Sequence, residues 1–447
     1  MNSYLIKNAQ IVNESKIFEG DLLIKNGTIE AIGKQLSSNS DIPEINAEGF
    51  HLFPGVIDDQ VHFREPGLTH KACIETESKA AVAGGVTSFM EMPNTKPPAL
   101  TLELLEDKYA MASEVSPSNY SFYLGASNDN IEVVKTMDPS RICGVKVFMG
   151  SSTGNMLVDN EKTLEAIFKS APSLIATHCE EEKIVKSNEA NFLKKYGDAI
   201  PIESHPLIRS REACFASSSK AIELAKRYDA RLHVLHISTM DELALFNNKI
   251  SLKDKKITSE VCIHHLWFND KDYSKYGTHI KWNPAVKTEE DQKALMEAMI
   301  NGTLDVIATD HAPHTLEEKN NSYMKAPSGG PLIQHSLLAM LDFYHKGYFD
   351  LTLISEKMAH NLAILYGIKE RGYIREGYKA DLVLVDLNAE TKVNKVSLMY
   401  KCGWSPFEGH TFKSQIVKTF VNGHLAYSDG KVCAHRPGER LAFKKRF

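Results

Sequence analysis

Apolar residues in the middle of the chain gather into short runs separated by longer amphipathic stretches. The runs fall at Gly55–Phe63, Thr87–Met92, Ser121–Ala126, Gly144–Met149, Ser173–His178, Arg231–His236, Thr258–His264 and Asp305–Thr309. Runs of this length bounded by polar or turn residues predict buried strands. Between most of them the spacing turns helical. Glu212–Arg227 carries Ala213, Phe215, Ala221, Ile222, Leu224 and Ala225 at mixed intervals of three and four. Thr288-Glu-Glu-Asp291 opens another helix like a capping box with Asp in the place of Glu, and Leu295, Met296, Met299 and Ile300 follow before Gly302.

The two ends have a different texture. Tyr4-Leu-Ile, Gln10-Ile-Val, Asp21-Leu-Leu-Ile-Lys and Ile29-Glu-Ala-Ile are short β-like runs, separated by turn signals such as Lys25-Asn-Gly27. Near the C-terminus, Asp381–Asp386 reads as a strand, and Gln415–Val421, Asn422-Gly423 and His424–Tyr427 read as a hairpin with a two-residue turn. Eight strands alternating with helices predict an α/β fold. The expectation is a (β/α)8 TIM-type barrel over residues 55–371, with 1–54 and 372–447 meeting in one small composite β-sandwich domain. Strand counting leaves an open doubly wound sheet as the alternative.

Composition changes this picture little. A chain of 447 residues, 43% hydrophobic and 24% charged, has ample material for a full core. A net charge of -5 with a pI near 6.4 points to neither a nucleic-acid nor a membrane partner, and Lys444, Lys445 and Arg446 read as a solvated basic tail. Seven scattered cysteines without a C-x-x-C pair read as reduced thiols and argue against a zinc ribbon. No signal-peptide h-region opens the chain and no uncharged apolar run approaches membrane-spanning length, so a cytoplasmic protein is expected.

A barrel places its chemistry at the C-terminal ends of its strands. The first run here ends in His62 and Arg64, the second leads into Pro93-Asn94-Thr95, and the fourth carries Lys146. The fifth ends in His178 and Glu180, the sixth in His236-Ile-Ser238, the seventh in His264-His265, and the eighth leads into Asp310-His311-Ala-Pro-His314. One histidine after an apolar run is more often a core or rim residue than a ligand. Recurrence at seven of eight strand ends is what that bland reading leaves unexplained.

The stretch Gly55-Val-Ile-Asp-Asp-Gln-Val-His-Phe-Arg-Glu-Pro-Gly67 carries the densest chemistry. Asp58, Gln60, His62 and Arg64 alternate, and alternation is expected to put all four on one face of the strand. That face fits a site mouth or a wet edge strand equally well. Neutral imidazoles and a carboxylate converging in one mouth match borderline divalent metals, zinc above all. His62, His178, His236 and Asp310 supply four such groups. Lys146, costly as a buried ammonium, has two readings: an ion pair with Asp310 or Glu180, or a neutral amine that takes up CO₂ as an anionic carbamate.

These strings together resemble the dihydroorotases, members of the cyclic-amidohydrolase group of metal-dependent barrel enzymes. The resemblance runs from about residue 50 to 430 and includes Lys281-Trp-Asn283-Pro and Ser405-Pro-Phe-Glu-Gly409. It implies that His62, Lys146 as its carbamate, His178, His236 and Asp310 are metal ligands, with Asp310 also the catalytic proton carrier. It implies that Arg64, Asn94 and His314 hold the substrate carboxylate and that Asn283 contacts the pyrimidine ring. A guanidinium suits a carboxylate on its own chemistry as well. The implied reaction is reversible cyclisation of N-carbamoyl-L-aspartate to L-dihydroorotate, in pyrimidine biosynthesis, by a homo-oligomer holding two Zn²⁺ per chain. Thr315–Pro327, polar and low in apolar residues, reads as a mobile loop able to cover the site.

One residue departs from the pattern. The family's first strand carries Asp-x-His-x-His-x-Arg, and Gln60 stands at the first histidine. An amide oxygen is a poorer zinc ligand than an imidazole nitrogen, so Gln60 is expected to be a weak or absent ligand and one metal to be held less tightly. Two other functions remain in view: a dihydropyrimidinase- or allantoinase-like cyclic amidohydrolase, and a non-catalytic dihydroorotase-like partner of aspartate transcarbamoylase. Arg64 before Glu-Pro-Gly argues against allantoinases, which tend to carry Asn there.

Overall fold

The computed structural model describes residues 3–37, 41–150, 154–433 and 438–444; Lys445 and Arg446 of the basic tail lie outside them. All eight expected runs of the middle are strands, and all pair in parallel. Val56–Val61, Val86–Glu91 and Asn119–Phe122 form one set in that order. Leu124–Gly125, Val145–Phe148, Ile175–His178, Leu232–Val234, Ile257–Cys262 and Val306–Ala308 form a second. Only Tyr123 separates the two sets, inside the run expected over 121–126. There the pairing changes neighbours: Tyr123 N donates to Glu91 O (3.0 Å) and Leu124 N to Gly144 O (3.1 Å). At the opposite edges Val61 bridges His311 in parallel, and His62 N donates to His311 O (2.7 Å). Strands buried on both faces explain the near-continuous apolar runs.

The intervening helices follow their patterns. The expected 212–227 helix spans Arg211–Tyr228, starts where the Ser210 side chain accepts from Ala213 N, and buries Ala213, Ala221, Ile222, Leu224 and Ala225. Phe215, counted with that apolar face, is instead exposed. Thr288 and Asp291 close the expected capping box at the start of Glu289–Ile300. The seventh run differs at its end. Its strand stops at Cys262, and His264 and His265 belong to the short helix Ile263–Trp267.

Strands from both termini share one nine-stranded sheet. Its path runs Lys431–Val432, His424–Ser428, Gln415–Val421, Leu382–Asp386, His51–Pro54, Tyr4–Asn13, Lys16–Lys25 and Thr28–Gly33, with Glu44–Asn46 paired to Tyr4–Asn13. The expected sandwich is therefore a single hydrogen-bonded sheet that curls. Its far strand returns toward the middle, where Ile29 N donates to Tyr378 O (2.8 Å) and Ala380 N to Gly27 O (3.0 Å). The curl encloses Ile6, Ile11, Leu22, Ile24, Leu52, Leu384 and Phe420. The Asn422-Gly423 turn has positive φ at both residues (50° and 72°), as a type I′ hairpin requires. Two pieces of the C-terminal stretch reach the parallel strands instead: Leu441 N donates to Tyr120 O (2.9 Å), and Trp404 Nε1 to His314 O (2.8 Å).

Candidate active site

The parallel strands end around a cavity of about 430 Å³, lined by Gln60, His62, Arg64, Asn94, Lys146, His178, His236, Asn283, Asp310 and His314 among others. Every residue implied above as a metal ligand, proton carrier or substrate contact borders this one space. Asp58 does not. Pairing with the neighbouring strand slips between Asp58 and Val61, and this bulge breaks the alternation. Asp58 turns to Thr309 instead, accepting from its hydroxyl (2.6 Å) and its backbone N–H (3.3 Å). It thereby ties the first strand to the residue preceding Asp310.

Arg64, His236 and Asp310 each carry positive φ (70°, 40° and 48°) where their strands end. Non-glycine residues pay for that conformation, and such strain gathers where side chains must be aimed.

Second contacts orient the imidazoles. His62 places Nε2 3.1 Å from Asp310 Oδ1 and Nδ1 2.7 Å from Asn94 Oδ1. Asn94 can only accept through that oxygen, so the proton of His62 sits on Nδ1 and the lone pair on Nε2. His178 Nε2 faces Glu180 Oε2 at 2.8 Å, leaving Nδ1, 2.9 Å from His236 Nε2, to face the cavity. Glu180 also accepts from Arg209 (2.7 Å), and this guanidinium and His178 hold its carboxyl well below the usual range against the opposing effect of burial. Burial pushes His62 and His178 down and His236 well down, which keeps all three in the neutral form that binds metal.

Lys146 is 1% exposed, and burial lowers its ammonium to about 8. Of its two readings, the ion pair with Asp310 or Glu180 is not formed: among the described residues no carboxylate lies within 4.0 Å of Nζ, which sits 4.6 Å over the Phe148 ring. An easily deprotonated amine opening on the cavity suits carbamate formation. The three imidazoles, Asp310 and such an anion form a donor set that fits borderline divalent cations. Gln60 is poorly turned for ligation, with Nε2 toward Asp310 Oδ1 (3.2 Å) and Oε1 toward Cys262 Sγ (3.6 Å).

The other wall is cationic. Arg64 Nε donates to Pro313 O (3.0 Å), and Nη2 lies 3.0 Å from His314 Nε2. Lys71 Nζ lies 2.9 Å from His314 Nδ1 and pairs with Glu318 (2.9 Å), and Lys96 also borders the cavity. Sequence reasoning missed both lysines. The available signal was their position: Lys71 follows the Pro66-Gly67 turn and Lys96 follows Asn94. Asn283 accepts from Ser328 (3.0 Å) across the mouth. His311, beside Asp310 after the eighth run, is buried against Glu77 (2.8 Å) and does not line the cavity.

The 315–327 segment is tied down by buried lysines. Pro327 and Ser328 border the cavity, while fully buried Lys319 donates to Lys281 O, Pro327 O and Gly329 O (3.2, 2.9 and 2.8 Å). Lys281 Nζ donates in turn to Tyr323 O (2.6 Å) and Ala326 O (2.7 Å).

The amidohydrolase family profile matches residues 51–426. A dihydroorotase of Methanosarcina acetivorans is 33% identical over 415 residues, covering 90% of this chain and 88% of its own. One of Bacillus subtilis is 32% identical over 443 residues, covering 96% and 99%. Among solved structures, an L-hydantoinase (dihydropyrimidinase) from Arthrobacter aurescens aligns with a TM-score of 0.93 at 27% identity, covering 99% of this chain and all of that one. With its profile match across most of its length and relatives of this identity and coverage, the chain belongs to the amidohydrolase family and groups within it among the dihydroorotases.

Proposed function

We propose that the protein is a dihydroorotase, interconverting N-carbamoyl-L-aspartate and L-dihydroorotate in pyrimidine biosynthesis. The observation that carries this reading is a single cavity with His62, His178, His236, Lys146 and Asp310 on one side and Arg64, Lys71 and His314 on the other. The first group suits cations. The second suits a carboxylate, which this substrate carries and an uncharged ring lacks.

His178, His236 and Lys146, as its carbamate, would hold one zinc tightly, and His62 and Asp310 would help hold a second more weakly, because Gln60 replaces an imidazole. When bound, such metals lower the pKa of water to about 7 and polarise a carbonyl. Asp310 Oδ1, held beside His62, takes the proton of the attacking water and returns it to the departing ring nitrogen. Arg64 and His314 grip the substrate carboxylate with Asn94, which also fixes the His62 ring. Asn283 faces the pyrimidine ring, and the pinned 315–327 segment excludes water.

In this reading the eight parallel strands close into a (β/α)8 barrel over 55–371, a closure supported by the Val61–His311 bridge and the single-residue step at Tyr123. Residues 1–54 and 372–447 form the companion β-domain, and the assembly is a homo-oligomer. The cysteines of the described residues are all free thiols, which suits a reducing cytoplasm.

The likeness to an L-hydantoinase favours one alternative, hydrolysis of uncharged cyclic amides. Comparing Arg64→Ala with the unchanged enzyme on dihydroorotate and on dihydrouracil separates the two. A loss of at least about 100-fold in kcat/KM confined to dihydroorotate supports the carboxylate role. Equal effects on both rings contradict it.

A further inference from the structure

Deeper in the parallel strands, Asp59, His233 and Glu260 meet, each fully buried, with their ligand atoms within 4.8 Å of one another. His233 Nε2 lies 3.3 Å from Asp59 Oδ2 and 3.5 Å from Glu260 Oε2. A charge-assisted N–H···O bond is shorter, about 2.7–2.9 Å. None of His233 Nε2, Asp59 Oδ1 and Glu260 Oε2 makes a hydrogen bond. Distances of 3.3–3.5 Å instead match the edge of a tetrahedron of ligands about 2.0–2.1 Å from a central ion.

The surroundings prepare the same geometry. Thr258 donates its hydroxyl to Leu232 O (3.2 Å), so its oxygen accepts from His233 Nδ1 (2.9 Å) and Nε2 is turned toward the two carboxylates. Tyr366 donates to Asp59 Oδ2 (2.7 Å). Glu260 Oε1 accepts from His236 N (3.0 Å) and Cys262 Sγ (3.4 Å), which turns Oε2 toward His233. Two carboxylates out of reach of solvent call for positive charge: without an ion they pull His233 up to about 9 against the opposing effect of burial, and a divalent ion that displaces that proton would balance them instead.

We propose that Asp59, His233 and Glu260 bind a divalent cation of the zinc class as a structural ion beneath the active-site cavity. Glu260 joins the two levels, since its other oxygen holds the backbone of His236.

Crystals of the full chain saturated with zinc, measured on both sides of the zinc absorption edge, test this directly. The expected result is an anomalous peak among the three side chains, besides those in the cavity. Cavity peaks with none at Asp59 would overturn the proposal and leave a protonated His233 as the counter-charge. In solution, Asp59→Asn should lower the zinc retained after gel filtration by one equivalent per chain; an unchanged count is a second refutation. If Asp59→Asn does not fold, His233→Gln serves for the same count, and the crystal experiment needs no variant. Neither readout depends on turnover, so loss of the dihydroorotase reading would leave this one standing.

Discussion

His62 and Asp310 meet at 3.1 Å across 248 residues of sequence, the first from the end of the first parallel strand and the second from just past the eighth. That contact joins the two edges of the parallel arrangement at the point where the chemistry is proposed. Asp58 and Thr309 make the supporting contact one level deeper (2.6 Å). Asp310→Asn keeps the shape and removes the proton carrier. It should lower kcat by at least about 100-fold with little change in the thermal midpoint, read by turnover and calorimetry.

In the proposed two-metal site, Gln60 limits the weaker metal. Gln60→His should make zinc at that position about 10-fold or more harder to remove, measured as metal retained during dialysis against graded chelator. Unchanged retention would show that the position does not face the metal.

Lys319 ties the 315–327 segment to its neighbours by donating to the carbonyls of Lys281, Pro327 and Gly329. Lys319→Met leaves those acceptors without their donor, at a cost of about 3 kcal/mol. The expected outcome is a lower denaturant midpoint together with a raised KM for dihydroorotate, since Pro327 and Ser328 border the cavity. Loss of stability with an unaltered KM would separate the segment from substrate binding.

Burial drives His335, stacked on Phe412, down to about 3 from an ordinary 6.5. Between these values the unfolded chain binds a proton that the folded chain refuses. Stability from this group is therefore complete above pH 6.5 and falls as pH drops toward 3. His335→Gln should flatten the decline in urea midpoint between pH 7 and pH 5; an unchanged slope would assign the decline to other groups.

Much of the site was legible because parallel strands buried on both faces write themselves as apolar runs, and a polar residue at the end of such a run has few other reasons to be there. His62, Lys146, His178, His236 and Asp310 were found this way, and they border one cavity. What was not legible depends on partners distant in sequence. The slip that turns Asp58 to Thr309 is a property of pairing with the second strand. The curl of the terminal sheet depends on residues 377–380 meeting residues 27–29. Lys71 enters the cavity from a loop, where no periodicity marks it. The 315–327 segment looked loose because its composition is polar, yet its own Lys319 and the neighbouring Lys281 are buried and bind its carbonyls.

The most direct test is turnover of L-dihydroorotate and N-carbamoyl-L-aspartate by zinc-saturated protein, followed in both directions. The account predicts interconversion that disappears with chelation and returns with zinc. A fully metallated preparation that leaves both compounds unchanged would contradict it.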